Sequence, residues 1–349
     1  MRYFHPWYGI LALLSCLCVV ACSPNSAQTP ITANCRTVSH VLGETEVCGK
    51  PEKIVALGAH SLDLLLSLGE QPAGTITVVP SQAERLEQPS KAIPYVGELI
   101  TTQPVNLGGL RGEPSLEALT QLKPDLIVGE MGYIEGAANL LNQIAPTISL
   151  DVRSQKGKWR DNIQVFAQAL GDDALAETAI ARYEEQVAAA RADLASVVAT
   201  HPQMLVMTAN GLSNGTIQAI TAESFVGELL EAVGFELVSP PSGSTPNSAP
   251  LSLEVLPEMD AADSIFVLGY RTDLGQSGQS TGATDAASLI EQQFSGVKAE
   301  WDNNAIAQSL TASKADRVYF TTFYQWNLFN GPIGAEMILT DLRQLLLAG

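Results

Sequence analysis

The sequence predicts an α/β protein of two lobes, each with a central, mostly parallel sheet, joined by a single long helix. Three observations predict this class. Residues 53–150 alternate short apolar runs with segments of helical spacing, which is typical of parallel strands joined by crossover helices. Residues 158–199 have almost only helical character, broken once at Gly171. Strand and helix patterns then alternate again from residue 203 to the end.

The first alternating region contains four apolar runs of strand length. They lie at 53–57, 73–79, 125–129 and 147–150. Helical spacing separates them at 61–69, at 114–122 with Pro114 at the helix start, and at 135–145. We expect the first lobe to comprise residues 35–151.

The second region contains one apolar stripe at spacings of three and four residues. The stripe consists of Leu175, Ala179, Tyr183, Val187, Ala190, Leu194 and Val197. A helix of about 25 residues spans nearly 40 Å at about 1.5 Å per residue, which is more than one lobe requires. Residues 152–200 are therefore predicted to span the molecule.

The last third, residues 201–349, is predicted to form the second lobe. Strands are expected at 203–208, 216–220, 264–270 and 317–322, and helices at 223–233, 251–259 and 332–347. Residues 239–250 and 273–284 are rich in Gly, Ser, Pro, Asn or Thr and are predicted to be loops.

The first 21 residues have the pattern of a lipoprotein signal peptide. Arg2 precedes an apolar stretch at 9–20, which is too short for a transmembrane helix of about 20 apolar residues. The stretch ends in an apolar-small-Cys box at Cys22. We expect lipid at Cys22 and a flexible tether at 22–34, on the periplasmic side of the cell membrane. An ordinary cleaved signal with a coincidental cysteine is the alternative.

Composition limits the classes of partner. Without residues 1–21 the chain keeps 349 − 21 = 328 residues, enough for two domains, with 18 basic residues against 37 acidic ones. This balance argues against nucleic acid or an anionic membrane surface as the partner, so that only the lipid anchor would hold the protein at the membrane. A hydrophobic content of 46% excludes disorder.

Two cysteines remain after processing. Cys35 and Cys48 flank an alternating stretch with Gly43 where a turn is expected, so the segment is predicted to be a β-hairpin with the cysteines at facing strand ends. An oxidising compartment favours a disulfide over two free thiols. A metal site is disfavoured because neither a second cysteine pair nor a nearby His pair is present.

One motif suggests an enzyme. Gly211 to Gly215 match the G-x-S-x-G nucleophile elbow of hydrolases, which requires a following helix and a later His. A strand pattern follows instead, and no His occurs after His201. The motif is therefore interpreted as a hairpin turn. The sequence also contains no Walker loop and no H-E-x-x-H, so we expect no catalytic residues, with a hydrolase as a remote alternative.

Candidate binding residues follow the predicted strands, since ligands of open α/β sheets bind beyond the carboxyl ends of the strands. Arg side chains can donate two parallel hydrogen bonds to the anionic oxygens of a ligand, and aromatic rings can pack on its apolar edge. Both residue types also have ordinary roles: an Arg on a loop is usually a surface charge, and a Trp usually packs in the core. The candidates are His60, Arg111, Tyr133, Arg153, Trp159, Arg271, Tyr324 and Trp326, with Ser61, Glu130 and Asn210 beside them.

The order of these segments resembles the helical-backbone class of periplasmic binding proteins, and within it the iron-siderophore lipoproteins of ABC importers. The resemblance rests on L-E-A-L-T-Q-L-K-P-D-L-I at 116–127, echoed by L-E-V-L-P-E-M-D-A-A-D at 253–263. It covers nearly all of the mature chain. It implies a monomer that captures a ferric siderophore between its lobes and delivers it to a permease dimer.

The resemblance also implies roles for single residues. Glu117 and Glu254, at matching points of the echoed motif, would dock on the permease, although a solvated surface acid is the ordinary alternative. The ligand would bring Fe³⁺ inside its own oxygen shell, so neither a cofactor nor direct metal coordination is expected. Haem, bound through His60 or a Tyr, and cobalamin are alternatives. A metal-ion binding protein is disfavoured because only His40, His60 and His201 remain.

Overall fold

Two separate sheets carry the fold, one on each side of a helical segment. The computed structural model describes residues 34–77, 79, 83–109, 114–151, 155–209, 212, 215–240, 248–269 and 285–348. The predicted signal peptide, Cys22 and nearly all of the tether lie outside the described residues.

A β-hairpin opens the described chain, as predicted. Strands β1 (Cys35–His40) and β2 (Gly43–Cys48) pair antiparallel with Cys35 opposite Cys48, and a disulfide joins the two cysteines. The guanidinium of Arg36 donates to the backbone carbonyls of Gly49 and Gln168, both at 2.7 Å. These hydrogen bonds attach the hairpin to the C-terminal end of the helix that contains Gln168.

The first lobe contains a five-stranded parallel sheet in the order β5-β4-β3-β6-β7. Its strands are β3 (Ile54–Leu57), β4 (Pro72–Thr77), β5 (Val105–Gly109), β6 (Leu126–Glu130) and β7 (Thr147–Leu150). The sequence predicted four of them, and β5 was missed because its N-L-G-G stretch has little apolar character.

Five helices accompany this sheet. They are α1 (Ala59–Ser67), α2 (Pro89–Ala92), α3 (Leu116–Leu122), α4 (Met131–Ile134) and α5 (Ala138–Ile144). Helix α3 begins after Pro114, where the Ser115 hydroxyl accepts from the Ala118 N–H at 3.2 Å. The helix predicted at 135–145 begins earlier and is interrupted by a 3₁₀ turn at Glu135–Ala137.

The joining segment consists of α6 (Lys158–Leu170), α7 (Ala174–Asp193) and α8 (Ala195–Thr200). The predicted apolar stripe is correct, since its members from Ala179 to Leu194 are buried. The long helix is shorter than predicted, because α7 ends at Asp193 after 20 residues and α8 starts beyond Leu194. Its length is therefore about 30 Å.

The second lobe contains a mixed sheet in the order β11-β9-β8-β12-β13, with β10 pairing β8. Strands β8, β12 and β13 are parallel, and β9 and β11 are antiparallel to their neighbours. The bounds are β8 (Gln203–Ala209), β9 (Thr216–Ile220), β10 (Glu236–Leu237), β11 (Ser248–Ser252), β12 (Ser264–Gly269) and β13 (Val318–Thr322). Because β8 and β9 pair antiparallel across the G-x-S-x-G motif, the prediction of a hairpin there is confirmed.

The helices of this lobe are α9 (Phe225–Val233), α10 (Ala286–Asp302), α11 (Ala305–Ser309), α12 (Thr311–Lys314) and α13 (Pro332–Leu346). Helices α10 to α12 were not predicted. The segment Leu253–Met259 is a 3₁₀ helix containing Pro257, a residue that disfavours a continuous α-helix. A π-helical turn at Tyr324–Leu328 follows β13.

One hydrophobic core runs through both lobes. Leu64 of α1, Phe166 of α6, Val187 of α7, Leu230 of α9 and Leu339 of α13 belong to the same buried cluster. Two further clusters cover the opposite face of each sheet. The lobes therefore share apolar packing along the side that α7 occupies. None of the described helices is long and apolar enough to cross a membrane.

Candidate functional site

The carboxyl ends of the parallel strands in the two lobes approach one another. The Tyr95 hydroxyl of the first lobe is hydrogen-bonded to Thr322, the last residue of β13. Val79, shortly after β4, packs on Ala286 and Leu289 of α10. The carboxyl-end edges of the two sheets therefore face one another, and open α/β sheets bind their ligands at such edges. The region between these edges is called the cleft below.

The three candidate arginines lie outside the described residues. Arg111 follows Gly109 at the end of β5, Arg153 follows Asp151 after β7, and Arg271 follows Gly269 at the end of β12. In the sequence, each of them comes shortly after the last residue of a strand. Their contacts with a ligand stay predictions.

Two candidate tyrosines are placed differently. Tyr133 lies in α4, directly after β6, with its side chain partly exposed and packed on the outer cluster of the first lobe. Tyr324 lies in the π-helical turn after β13 and is only 7% exposed. Met131 and Phe323, which the sequence analysis did not select, are partly exposed beside them.

Both candidate tryptophans belong to the core, which corrects the prediction that they line the cleft. Trp159 and Trp326 are 0% exposed. The Trp159 ring lies 4.6 Å from that of Tyr183, and the Arg160 guanidinium covers it at 4.5 Å. Trp326 stacks on Phe266 at 5.0 Å. Each ring follows a strand in the sequence but turns towards a helix or sheet face, which sequence spacing does not reveal.

Trp326 is also held by a polar contact. Its Nε1–H donates to the Asp341 carboxylate at 2.8 Å, and the Thr321 hydroxyl donates to the same oxygen at 3.1 Å. Burial raises the pKa of Asp341, and these hydrogen bonds oppose the rise. The ring is thus fixed from both its apolar and its polar side.

His60 is a structural residue, which corrects its assignment as a ligand contact. It is 0% exposed. Its backbone N–H donates to Glu130 Oε1 at 3.3 Å, and its Nε2 lies 2.9 Å from Nδ2 of Asn162. Asn162 Oδ1 accepts from the Asp151 N–H at 3.0 Å, which orients the amide so that Nδ2 donates to His60. The Nε2 lone pair is therefore engaged and is not presented to iron.

Asn162 ties three elements together beneath the cleft. Its Nδ2 also donates to the Asp151 carbonyl at 3.3 Å, so both backbone groups of Asp151 are bonded. The Asp151 carboxylate pairs with Lys158 at 3.1 Å. The end of β7, where the Arg153 loop begins, is consequently anchored to α6. An Asn on the apolar face of the predicted helix was the signal for this contact in the sequence.

Asp63 was also missed. This buried acid of α1 accepts hydrogen bonds from the backbone N–H groups of Ile333 at 3.1 Å and Gly334 at 3.0 Å, in α13 of the other lobe. Burial raises its pKa to about 6, and its hydrogen bonds oppose the rise. Its signal in the sequence was an acid inside the apolar run S-L-D-L-L-L-S-L. Such a position predicts burial, and a buried acid requires a partner.

A pocket of about 620 Å³ lies against α7. Both lobes contribute to it, with Tyr95 and Leu66 on one side and Glu336 and Asp341 on the other. On the wall of the pocket, Arg182 forms a salt bridge with Glu336, with 3.0 Å between Nη2 and Oε2. Of the predicted binding residues that the structure describes, none lines it.

The two candidate docking carboxylates have matching positions. Glu117 and Glu254 are both exposed, and each is the second residue of a helix that a serine caps. Ser252 accepts from the Glu254 N–H at 3.4 Å, and Glu117 accepts from the Gln121 amide at 3.3 Å. A helix start also stabilises a carboxylate without any partner.

Among the described residues, the group close enough to hold a metal ion comprises Cys35, Glu46 and Cys48. Both sulfurs are joined in the disulfide. Because a cysteine binds metals as its thiolate, the disulfide removes two of the three ligands of this group and leaves the Glu46 carboxylate.

Comparison with known proteins gives a consistent result. The profile of the periplasmic binding protein family matches residues 54–324. The probable siderophore-binding lipoprotein YfiY of Bacillus subtilis is 25% identical over 348 residues, which cover 96% of each chain. The Fe(3+)-citrate-binding protein YfmC of the same organism is 25% identical over 95% of this chain and 93% of its own.

A solved structure also matches over most of the chain. Staphylococcus aureus SirA in complex with staphyloferrin B is 27% identical. It superimposes with a TM-score of 0.67, and the match covers 89% of this chain and 98% of SirA. The two-lobed architecture predicted from the sequence is therefore confirmed.

Proposed function

The chain belongs to the periplasmic binding protein family, and we propose that it is the solute-binding lipoprotein of an ABC importer that captures a ferric siderophore. The observation that carries this proposal is the match to SirA with staphyloferrin B, which spans almost the whole of that protein. The names of YfiY and YfmC, which also match over nearly their full lengths, point to the same class of ligand.

The chemistry of the cleft supports an iron chelate over bare iron. The His60 imidazole is buried and bonded to Asn162, so it is not placed to ligate a metal. A ferric siderophore presents its own oxygen shell and needs charge and shape complementarity from the protein. In this proposal Arg111, Arg153 and Arg271 grip its anionic oxygens, and Tyr133 and Tyr324 cover its apolar edge.

Equilibrium dialysis with radiolabelled iron tests the ligand class. The probes are ferric citrate, ferric staphyloferrin B, a ferric trishydroxamate and a ferric tricatecholate, with haem and cobalamin assayed by their absorption. We expect one ferric chelate to bind at least tenfold more tightly than haem or cobalamin. Preferred binding of haem or cobalamin would overturn the proposal.

The proposal extends to the partners. The protein acts as a monomer, held at the membrane by lipid on Cys22. It docks on a permease dimer through Glu117 and Glu254, one carboxylate from each lobe. Their exposure and their matching positions after Ser115 and Ser252 support this assignment.

A further inference from the structure

A buried carboxylate of one lobe caps a helix of the other lobe. The N-cap residue of α13, Gly331, provides no side-chain cap, and the first turn of α13 is capped by Asp63 of α1 instead. Oδ1 accepts from Ile333 and Oδ2 from Gly334, while the Ser67 hydroxyl donates to Oδ1 at 3.1 Å. A helix N-terminus favours a negative charge, so the contact is electrostatic as well as a hydrogen bond.

The close approach of α13 to Asp63 depends on glycine. A Cβ atom on Gly331 would lie 2.7 Å from Asp63 Oδ1 and 2.8 Å from Leu64 Cδ2. Real Cβ atoms do not come so near, so any other residue at 331 would push the two lobes apart locally. The sequence Asn-Gly-Pro before α13 is thus adapted to a contact between lobes.

A second contact between the lobes lies at Tyr95. Its backbone is in the left-handed region at φ 67°, which costs a residue other than glycine about 1–3 kcal/mol. This conformation directs the phenol across to Thr322, and the ring meets Phe329 edge-on at 6.5 Å. Burial raises the pKa of Tyr95, so its hydroxyl stays protonated in the physiological range.

Both contacts hold the same piece of the second lobe. Thr322 and Gly334 bound a segment that contains the π-helical turn with Tyr324 and Trp326. Residues of the first lobe therefore fix both ends of the segment that carries Tyr324, a candidate binding residue. Single π-turns are frequent at functional sites, where they need support from surrounding structure.

We propose that Asp63 and Tyr95 form a two-point latch on the segment Thr322–Gly334, which holds the lobes at a fixed angle without ligand. The latch acts in addition to the long helix α7. It positions the Tyr324 side of the cleft before a ligand arrives, so the cleft is preformed. This inference is independent of which chelate the protein binds.

Hydrogen exchange of backbone amides, measured by mass spectrometry on the full-length protein in detergent, tests the latch. The reporters are the amides of Ile333 and Gly334 for Asp63, and the amide of Gln325, which donates to Thr322 Oγ1 at 3.3 Å, for Tyr95. If the two contacts open together, Tyr95→Phe accelerates exchange at Ile333 and Gly334 about tenfold, and Asp63→Asn accelerates it at Gln325 about tenfold.

Matched variants control for local damage. Tyr319→Phe removes a phenol oxygen from β13 itself, and Asp125→Asn changes a carboxylate that accepts the Glu52 and Lys53 N–H groups within the first lobe. Both should leave all three reporters within twofold of wild type. If Asp63→Asn does not fold, the exchange rates at Ile333 and Gly334 in the Tyr95→Phe protein are sufficient to test the latch. Exchange at Ile333 and Gly334 that matches the Tyr319→Phe protein would overturn the latch.

Discussion

The side-chain amide of Asn162 lies 2.9 Å from Nε2 of His60, and this contact joins the helical segment to the start of α1. The same amide bonds both backbone groups of Asp151 at the end of β7. Three elements that are distant in sequence therefore meet at one buried side chain beneath the cleft. Such a network is strong only when every member is satisfied.

Replacing Asn162 by Ala should lower the free energy of unfolding by about 2–3 kcal/mol, because buried polar groups lose their partners. Urea denaturation measures the change. Asn142→Ala is the control, since Asn142 is exposed and accepts a single bond, from the Thr147 N–H at 3.1 Å. Water can replace that bond, so its cost should be about 1 kcal/mol or less. Equal costs for the two variants would contradict the network.

The contribution of Asp63 to stability should fall as pH rises. Burial raises its folded pKa to about 6, whereas an unfolded Asp titrates near 4. Between these values the folded protein binds more protons than the unfolded chain. The contribution is therefore complete below pH 4 and is lost as pH rises through about 6, by about 3 kcal/mol in all.

The measurement is the free energy of unfolding of wild type minus that of Asp63→Asn, at intervals from pH 4 to 7.5. This difference removes the titration of other groups, including Asp341. The groups that face Asp63 are neutral, namely the Ser67 hydroxyl and backbone N–H groups of α13. Arg182 of α7 and Glu336 and Asp341 of α13 line the neighbouring pocket. A difference that increases with pH would show that the folded carboxylate is stabilised as the anion.

Gly331→Ala should destabilise the protein by about 1–3 kcal/mol, because its Cβ would overlap Asp63 and Leu64. Thermal unfolding provides the measurement. Gly296→Ala within α10 is the matched control, since a Cβ there meets nothing within 4 Å. That control should be neutral or stabilising by about 0.5–1 kcal/mol, as Ala favours a helix over Gly. A stabilising Gly331→Ala would mean that α13 readjusts freely.

Glu117→Arg combined with Glu254→Arg should abolish uptake of the iron chelate and leave its affinity within about twofold of wild type. Loss of an ion pair desolvated on docking weakens a complex by a few kcal/mol, and neither exposed carboxylate is among the candidate ligand-binding residues. The control is Glu52→Arg with Glu258→Arg, an equal change of charge at exposed sites in the two lobes. Retained uptake in the first variant would remove the docking role, and lost binding would mean that the cleft lies elsewhere.

Cys22→Ser should release the protein from membranes or leave it unprocessed, because lipid at this thiol is the expected anchor. Fractionation with and without detergent is the measurement. Cys18→Ser, inside the predicted signal peptide, should leave the anchoring unchanged. A wild-type protein found free in the soluble fraction would contradict lipidation.

The sequence predicted most strands and the disulfide because both depend on local patterns. Apolar runs of four to six residues mark β3, β7 and β12, and Cys35 and Cys48 stand at facing ends of an alternating stretch. The strands β5 and β10 and the helices α2 and α10 to α12 were missed because their sequences are short or carry weak periodicity. The loop predicted at 239–250 was wrong at its end, because residues 248–250 belong to β11. Likewise, the stripe from Leu175 to Val197 predicted one helix, although the backbone breaks at Leu194.

By itself the sequence determined the fold class and the positions of most strands, since composition and periodicity act over neighbouring residues. Only the tertiary structure decided which side chains reach the cleft. Trp159, Trp326 and His60 follow strands, as binding residues do, yet all three are buried. The Trp159 ring packs against Tyr183 of α7, and the His60 ring is hydrogen-bonded to Asn162 of α6. Such partners come together only when the whole chain packs, so no local pattern encodes the direction of these side chains.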